Sequence, residues 1–383
     1  MPAQLASHVY VHVPFCTRRC SYCDFAIAVR RNVPVEEYVN ALHTECEVRT
    51  LSALVSPLKS LYFGGGTPSR LGASGVASAI ATVRQFAVLE ANAEVTLEAN
   101  PEDITPDAVR TWRDAGVNRL SIGIQSFDDR VLQWMHRVHD AEAARHAVSI
   151  ARDGGIDAFS IDLIFSLPEV LERDWDADLA AALSLDADHV SLYGLTIEPD
   201  TPLGKWNARG DVTESPEEHY EADFLKAHEQ LTSAGYDHYE VSNFAKPGRR
   251  AVHNSAYWRH VPYVGLGPSA HGFDGVRRRW NARHYAEWVR QVGEGEDPVA
   301  GDELLDIENR IAEDVYLGLR TTDGLDLSSE EERLRAIAWN RQGWVEFVSL
   351  TGDGLPKRIR CTPLGWLRLD SLAADLTAVR SRS

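Results

Sequence analysis

The stretch Tyr10–Phe25, YVHVPFCTRRCSYCDF, joins an apolar, strand-like run to a short loop that carries three cysteines in the pattern C-x3-C-x2-C. Three thiolates on one loop can hold three corners of a [4Fe–4S] cube, because cysteine thiolates are the ligands of iron–sulfur clusters. The fourth iron then has no nearby cysteine and is open to an outside ligand. The spacing favours a cluster of this kind at Cys16, Cys20 and Cys23.

Two other interpretations of the three cysteines compete with the cluster. A structural zinc site needs four ligands in tetrahedral array, but the remaining cysteines, Cys46 and Cys361, stand alone and no second C-x-x-C exists. His12 is the nearest candidate for a fourth ligand, although strand alternation favours a barrel-facing or loop-facing position for it. Thiols without any metal are the other alternative, and the spacing favours the cluster over both.

The bulk composition limits the class of protein. A chain of 383 residues, 44% hydrophobic and 25% charged, fits one large α/β domain plus a smaller one. No apolar run approaches the ~20 residues that cross a bilayer, and no signal-peptide pattern opens the sequence, so we expect a cytoplasmic location. The odd, clustered set of 5 cysteines favours a reducing compartment. A net charge of −18 argues against a nucleic-acid partner.

Short apolar runs alternate with helix-like segments from residue 9 to about residue 244. The predicted strands are Val9–Phe15, Ser60–Gly64, Ala93–Ala99, Arg119–Gln125, Ala158–Phe165 and His189–Thr196. The predicted helices are Val35–Leu54, Ala73–Phe86, Pro106–Asp114, Asp140–Asp153, Asp174–Leu185 and Pro216–Ser233. Such alternation predicts parallel βαβ units, which curl into a barrel or form a doubly wound sheet.

Polar residues at the ends of several strands favour the barrel, because a barrel gathers its ligand site at the C-terminal mouth. We therefore predict an α/β fold with a partial (β/α)6 TIM-like barrel in residues 1–244 and a connecting segment in residues 245–302. A smaller C-terminal helical, winged-helix-like domain is predicted in residues 303–383, where Thr351–Gly354 marks a hairpin. The acidity of the chain favours a packing or lid role for this domain over DNA binding.

The stretch Leu61–Pro68, LYFGGGTP, is a strand that runs into three glycines. Glycine lets a backbone approach a ligand closely, but a tight turn between strand and helix explains these glycines about as well. The stretch matches neither a phosphate-binding P-loop nor a dinucleotide-binding glycine motif.

Four polar residues accompany the apolar strands. Glu98 and Gln125 close two of them, Arg137 lies just past the next turn, and Asp162 interrupts the fifth strand. One such carboxylate is most often a helix cap or a solvated group. Four polar residues at one barrel mouth fit a ligand site, because such sites gather a few convergent polar groups. A carboxylate suits ribose hydroxyls or an ammonium group, and a guanidinium suits a carboxylate.

The segment His253–Trp258, HNSAYW, places a histidine beside two large aromatic residues. Histidine is a common ligand of haem iron, and the rings could cover the macrocycle. From the residues alone, a buried His–Asn pair with packed aromatic rings is the more frequent arrangement. The haem interpretation is therefore a hypothesis that this segment alone does not settle.

Together these motifs resemble the radical S-adenosylmethionine superfamily, and within it the haem chaperones related to oxygen-independent coproporphyrinogen III oxidase. The cysteine triplet is common to the superfamily, whereas the His-Asn-x-x-Tyr-Trp pattern is more restrictive and points to the chaperones. The resemblance implies that the three cysteines ligate the [4Fe–4S] cluster and that His253 contacts haem. It places these residues around S-adenosylmethionine: Tyr10, Tyr22, Gly65, Gly66, Thr67, Glu98, Gln125, Arg137 and Asp162.

The residue two places after the third cysteine separates the chaperones from the oxidases. The oxidases carry a further cysteine there, whereas this chain has Phe25, which offers no thiol. This departure argues against oxidative decarboxylation of a porphyrinogen, so we assign no catalytic residue. The oxidase reaction is the alternative function, and a tRNA-modifying radical enzyme is disfavoured by the acidity.

The resemblance also implies partners. Haem is the expected cargo, and haem-accepting proteins, with respiratory membrane enzymes among them, are the expected recipients. The sequence leaves open which acceptor is served, how haem is bonded, and whether the chain is a monomer or a homodimer.

Overall fold

The computed structural model describes residues 5–382. The chain divides into two compact units. The first comprises Met1–Tyr220 and Val261–Glu303, and the second comprises Glu221–His260 and Leu304–Ser383. The domain boundaries that we predict after residues 244 and 302 stay predictions. Residues 1–4, which contribute to the expectation about targeting, lie outside the described part.

A parallel sheet forms the centre of the first unit. Its strands are β1 (Ala6–Val13), β2 (Val55–Gly65), β3 (Leu89–Ala99), β4 (Arg119–Gln125), β5 (Ala158–Phe165), β6 (His189–Gly194) and β7 (Val264–Leu266). Within the unit the neighbours follow the order β7-β1-β2-β3-β4-β5-β6, and every pair is parallel. The predicted α/β fold with its six barrel strands is confirmed, and β7 is an additional strand at the edge beside β1.

Helices connect these strands as the sequence predicts, and Asp129–Trp134 and Pro202–Ala208 are additional helices that it does not predict. The connecting helices are Val35–Val48, Leu51–Leu54, Gly72–Phe86, Pro106–Ala115, Asp129–Trp134, Ala141–Asp153, Trp175–Ser184 and Pro202–Ala208. The predicted single helix Val35–Leu54 is wrong at one point, because it breaks at Thr50. This residue has a φ of 51°, in the left-handed region that a right-handed helix does not contain.

The connecting segment of residues 245–302 is structured. It contains the helices Val252–Trp258 and Tyr285–Gly293 and the strands Val264–Leu266, His271–Phe273 and Arg277–Asn281, and the strand Val299–Leu304 begins within it. His271–Phe273, Arg277–Asn281 and Val299–Leu304 form a small three-stranded sheet of their own. A further short parallel pair, Phe15–Cys16 with Ala28–Val29, holds the two ends of the cysteine loop together.

The central sheet has one apolar and one polar face, which is why it can carry a site. Val9, Val11 and Val13 of β1 are fully buried. The alternate residues of the strand face the other side, where the His8 ring lies 2.7 Å from the Ser60 hydroxyl of β2 and the Tyr10 ring stacks on Tyr62. Side chains of a strand alternate between its two faces, so the polar ones collect on one side of the sheet.

The second unit is built from helices and short antiparallel strands. The helices are Val252–Trp258, Ile307–Arg320, Glu330–Arg341, Pro363–Trp366 and Leu369–Arg380, and Glu217–Ser233 spans the boundary between the units. Asp237–Glu240 pairs with Asn243–Ala245, and Pro356–Cys361 pairs with both Leu325–Asp326 and Val345–Leu350. The predicted C-terminal hairpin is confirmed. In residues 5–382, no helix is long and apolar enough to cross a membrane.

Candidate cofactor site

The three cysteines lie on the loop that follows β1, and all three are partly exposed and free of disulfides. The Cys16 thiol lies 3.5 Å from the Thr67 hydroxyl, and Arg137 Nη1 lies 3.6 Å from Cys20 Sγ. The pKa of the Cys23 thiol is raised to about 11, chiefly by burial and also by the neighbouring thiols Cys20 and Cys16. The loop therefore presents its sulfur atoms as one group beside a fixed cation and a fixed hydroxyl.

The glycine turn after β2 packs directly against this loop. The Gly66 amide donates to the Val13 carbonyl at 2.8 Å, and a Cβ on Gly66 would lie 2.7 Å from the Pro14 carbonyl and 3.1 Å from Cys16 Sγ. Gly65 has a φ of +114°, and a Cβ there would lie 2.5 Å from the His12 ring. Only residues without a side chain fit at these two positions, so the glycines allow the turn to approach the cysteine loop.

A carboxylate is held just behind the glycine turn. The Tyr62 hydroxyl donates to Glu98 Oε1 at 2.7 Å, and the Gly65 amide donates to Glu98 Oε2 at 3.1 Å. The Tyr10 ring stacks on Tyr62 with their centroids 6.0 Å apart. The pKa of Glu98 is raised to about 7, chiefly by burial and also by the charge of Asp162, against the lowering effect of the hydrogen bonds from Tyr62 and Gly65.

Asp162 points to the same polar face of the sheet. The Ser121 hydroxyl lies 3.1 Å from both carboxylate oxygens, and the Ser160 hydroxyl lies 3.5 Å from one of them. Burial raises the pKa of Asp162 to about 6, while hydrogen bonds from Ser191 and Ser121 lower it. Glu98 feels the charge of Asp162, and a pair of partly buried carboxylates suits a cationic or hydroxyl-rich ligand.

Arg137 forms the opposite, cationic side of the site. Its Nη2 donates to the Gly123 carbonyl at 2.6 Å and to Asn100 Oδ1 at 2.7 Å. The Gln125 amide lies in the same place, because a Cβ on Gly123 would lie 3.1 Å from Gln125 Nε2 and 3.3 Å from Arg137 Nη2. Gln125 has a φ of 73°, a backbone conformation that turns its side chain at the end of β4 and that commonly marks a functional position.

The structure also shows residues of this site that the sequence analysis missed. Asn100 follows Ala99, the last residue of β3, and fixes Arg137. Ser121 and Ser160 hold Asp162 from two neighbouring strands. The signal for all three was polarity inside or next to an apolar strand, the same signal that identified Glu98.

Tyr22 and His253 have surroundings of their own. Tyr22 packs against an apolar cluster that includes Met135 and Leu203, and burial raises its pKa. His253 belongs to the second unit, on the helix Val252–Trp258. It is 1% exposed, and its Nε2 lies 2.8 Å from the Tyr257 hydroxyl, so this nitrogen is engaged within its own helix.

The donor set fits an iron–sulfur cluster better than a single ion. Among the described residues, no three His, Cys, Asp or Glu side chains converge closely enough to hold one metal ion. A cube spreads its three thiolates over three different iron atoms, so convergence on one point is not required. Three cysteines on one loop, next to Arg137 and a turn with no side chains, match this need.

A parallel barrel-type sheet with a three-cysteine loop after its first strand defines a radical S-adenosylmethionine protein. The model of the radical SAM superfamily matches residues 10–182. The structure is similar to that of coproporphyrinogen III oxidase (HemN) from Escherichia coli, with a TM-score of 0.79 and 24% identity, over 97% of this chain and 90% of that one. At this identity the similarity shows the fold.

The curated relatives narrow the family. The heme chaperone HemW of Mycobacterium tuberculosis is 36% identical over 90% of this chain and 91% of its own length. HemW of Synechocystis is 34% identical over 88% and 86% of the two chains, and HemW of Escherichia coli is 38% identical over 69% of each. The chain belongs to the heme chaperone HemW family.

Proposed function

We propose that this chain binds haem and delivers it to acceptor proteins, and that it carries a [4Fe–4S] cluster and S-adenosylmethionine. Membership of the heme chaperone family is the observation that carries the proposal. The thiolates of Cys16, Cys20 and Cys23 hold the cluster in this proposal. When bound, the cluster supplies one open iron and a source of single electrons.

The polar face of the sheet supports the assignment of S-adenosylmethionine. Its ammonium group needs acceptors, its carboxylate needs donors, and its ribose needs a hydrogen-bonding side chain. Glu98 and Asp162 provide acceptors, while Arg137 and Gln125 provide donors at the other side. Five further residues are predicted to contact S-adenosylmethionine. They are Tyr10 on β1, Tyr22 on the cysteine loop, and Gly65, Gly66 and Thr67 at the glycine turn.

The helix Val252–Trp258 is the proposed haem element, with His253 as the contact residue. His253 Nε2 lies 2.8 Å from the Tyr257 hydroxyl, so a hydrogen bond already occupies the nitrogen that would bind iron. A histidine that coordinates iron through Nε2 has to give up any other partner of that atom. Haem binding through Nε2 therefore requires Tyr257 to rotate away.

The cellular setting is part of the proposal. We place the chain in the cytoplasm, acting on haem acceptors that include respiratory membrane enzymes. The net charge of −18 supports a role without nucleic acid. Phe25, 62% exposed on the cysteine loop, replaces the cysteine expected of an oxidase, so we propose that the chain does not convert coproporphyrinogen.

Two measurements on anaerobically reconstituted protein test this function. Haem added in steps should give a saturable shift of the Soret band, and His253→Ala should weaken the binding. Incubation with a reductant, S-adenosylmethionine and coproporphyrinogen III should yield no protoporphyrinogen. Absence of saturable haem binding, or steady turnover of the porphyrinogen, would overturn the proposal.

A further inference from the structure

Two arginines in the second unit share one carboxylate. Arg259 donates to Asp323 Oδ2 through Nη2 at 2.8 Å and through Nε at 3.2 Å. Arg250 Nη1 lies 3.5 Å from Asp323 Oδ1. Two positive charges thus face a single negative charge, so this cluster has a surplus of one positive charge in a chain whose net charge is −18.

The cluster borders a narrow cleft with an unused hydrogen-bond donor. The cleft, lined by Arg250, Trp258, Arg259 and Asp323 among others, has a volume of about 10 Å³, which is room for one water-sized group. Trp258 Nε1 is buried and has no hydrogen-bond partner among the described residues. A buried donor without an acceptor costs free energy, so an oxygen atom that reached Trp258 Nε1 would relieve it.

The same helix connects this cluster to the proposed haem element. Arg250 comes just before the helix Val252–Trp258, and Arg259 comes directly after its last residue. Both arginines are substantially exposed, with 38% and 59% of their side chains accessible. Ion pairs between exposed side chains contribute little free energy, so an incoming carboxylate can replace Asp323 at low cost.

We propose that Arg250 and Arg259 bind the propionate carboxylates of haem, with Asp323 as the group that they release. Haem carries two carboxylates on an otherwise apolar ring, and arginine is the side chain that best matches a carboxylate with two parallel hydrogen bonds. Trp258, with the Arg320 guanidinium 4.2 Å above its ring, offers its Nε1 to a carboxylate oxygen. This inference rests on the proposed haem function. It adds the side chains that recognise the negative charges of haem.

Neighbouring acidic groups contact other side chains, although Glu313 and Asp314 together carry one more negative charge than a protonated His260 balances. Glu313 and Asp314 lie 3.3 and 2.9 Å from the two ring nitrogens of His260. Glu240 is paired with Arg320, with Nε and Oε2 3.0 Å apart. Asp323 is therefore the one carboxylate within ion-pair distance of Arg250 and Arg259 among residues 5–382.

The test compares haem with haem dimethyl ester, in which both propionates are esterified and uncharged. Full-length wild-type protein should bind the ester about threefold or more weakly than haem, because the ester has no charge to pair with the two exposed arginines. The double variant Arg250→Gln/Arg259→Gln should bind haem as weakly as the ester. Asp323→Asn, which removes the competing carboxylate, should bind haem more tightly than wild type.

Matched controls separate this site from the proposed function. Arg277 and Arg290 are exposed arginines of the first unit that also pair with carboxylates, so the double variant Arg277→Gln/Arg290→Gln should leave the preference for haem unchanged. Equal binding of haem and ester by wild type, or an unchanged preference in Arg250→Gln/Arg259→Gln, would overturn the inference alone. Absence of saturable binding of both porphyrins would overturn the haem function itself.

Discussion

The Tyr62 hydroxyl donates a 2.7 Å hydrogen bond to Glu98, and these two residues come from neighbouring strands at the mouth of the barrel sheet. The Gly65 amide donates to the second oxygen of the same carboxylate. Both oxygens are therefore oriented by the protein before any ligand is present. An acceptor fixed in this way costs little reorganisation when a ligand donates to it.

The raised pKa of Glu98 predicts a definite dependence of stability on pH. A carboxyl group that titrates near 4.5 when unfolded and at about 7 when folded binds more protons in the native state between these values. Its contribution to the free energy of unfolding is thus present at low pH and lost as pH rises through 7. Urea unfolding should show a smaller loss between pH 5 and pH 8 in Glu98→Gln, and no such change in the exposed control Glu308→Gln.

The role of the cysteine loop predicts which thiols are needed for iron. Alanine at Cys16, Cys20 or Cys23 should abolish the stable [4Fe–4S] cluster after anaerobic reconstitution, because a cube needs each thiolate. Cys46→Ala is the matched control, since this thiol is fully buried elsewhere in the first unit. Iron content and absorbance near 400 nm measure the outcome, and full iron loading in any of the three loop variants would refute the assignment.

The close contact at Gly66 predicts that one methyl group disturbs the site. Gly66→Ala puts a Cβ 2.7 Å from the Pro14 carbonyl, and such overpacking typically costs about 1–3 kcal/mol. We expect a lower free energy of unfolding and weaker binding of S-adenosylmethionine, measured by denaturation and by calorimetry. Gly293→Ala, whose added Cβ meets no other part of the protein within 4 Å, should lower neither; a tolerated Gly66→Ala would argue against the packing described.

The hydrogen bond between His253 and Tyr257 predicts a variant that binds haem more tightly than wild type. Tyr257→Phe removes the hydroxyl that lies 2.8 Å from Nε2, and a hydrogen bond of this kind contributes roughly 1 kcal/mol. Haem binding should become about fivefold tighter, since the bond no longer has to be broken. Weaker or unchanged haem binding in Tyr257→Phe would show that Nε2 is not the atom that binds iron.

The sequence predicts those strands and helices whose residue patterns lie within the element itself. The bounds of β4 and β5 agree with the predicted strands, because each is an apolar run ended by polar or turn residues. The three residues of β7 escaped prediction, since so short a strand exists through its pairing with β1, about 250 positions away. The break at Thr50 escaped as well, because nothing in its neighbours requires a positive φ.

The candidate site likewise has features that the sequence predicts and features that it does not. Glu98, Gln125, Arg137 and Asp162 were selected because strand ends of a barrel share one mouth, and the structure places their polar groups on that face. Their mutual contacts, such as Arg137 with Asn100, depend on rotamers and on crossovers that a linear pattern does not encode. The bond between His253 and Tyr257 is compatible with their spacing of four residues, but its geometry requires the folded helix.

Direct transfer of haem tests the central claim most closely. Haem-loaded protein is mixed with increasing concentrations of a haem-free respiratory enzyme in membrane vesicles, and the rate at which the acceptor's Soret band develops is measured. If the chain transfers haem within a complex with the acceptor, the rate should rise with acceptor concentration. A rate that equals spontaneous haem release and does not depend on acceptor concentration would contradict the account.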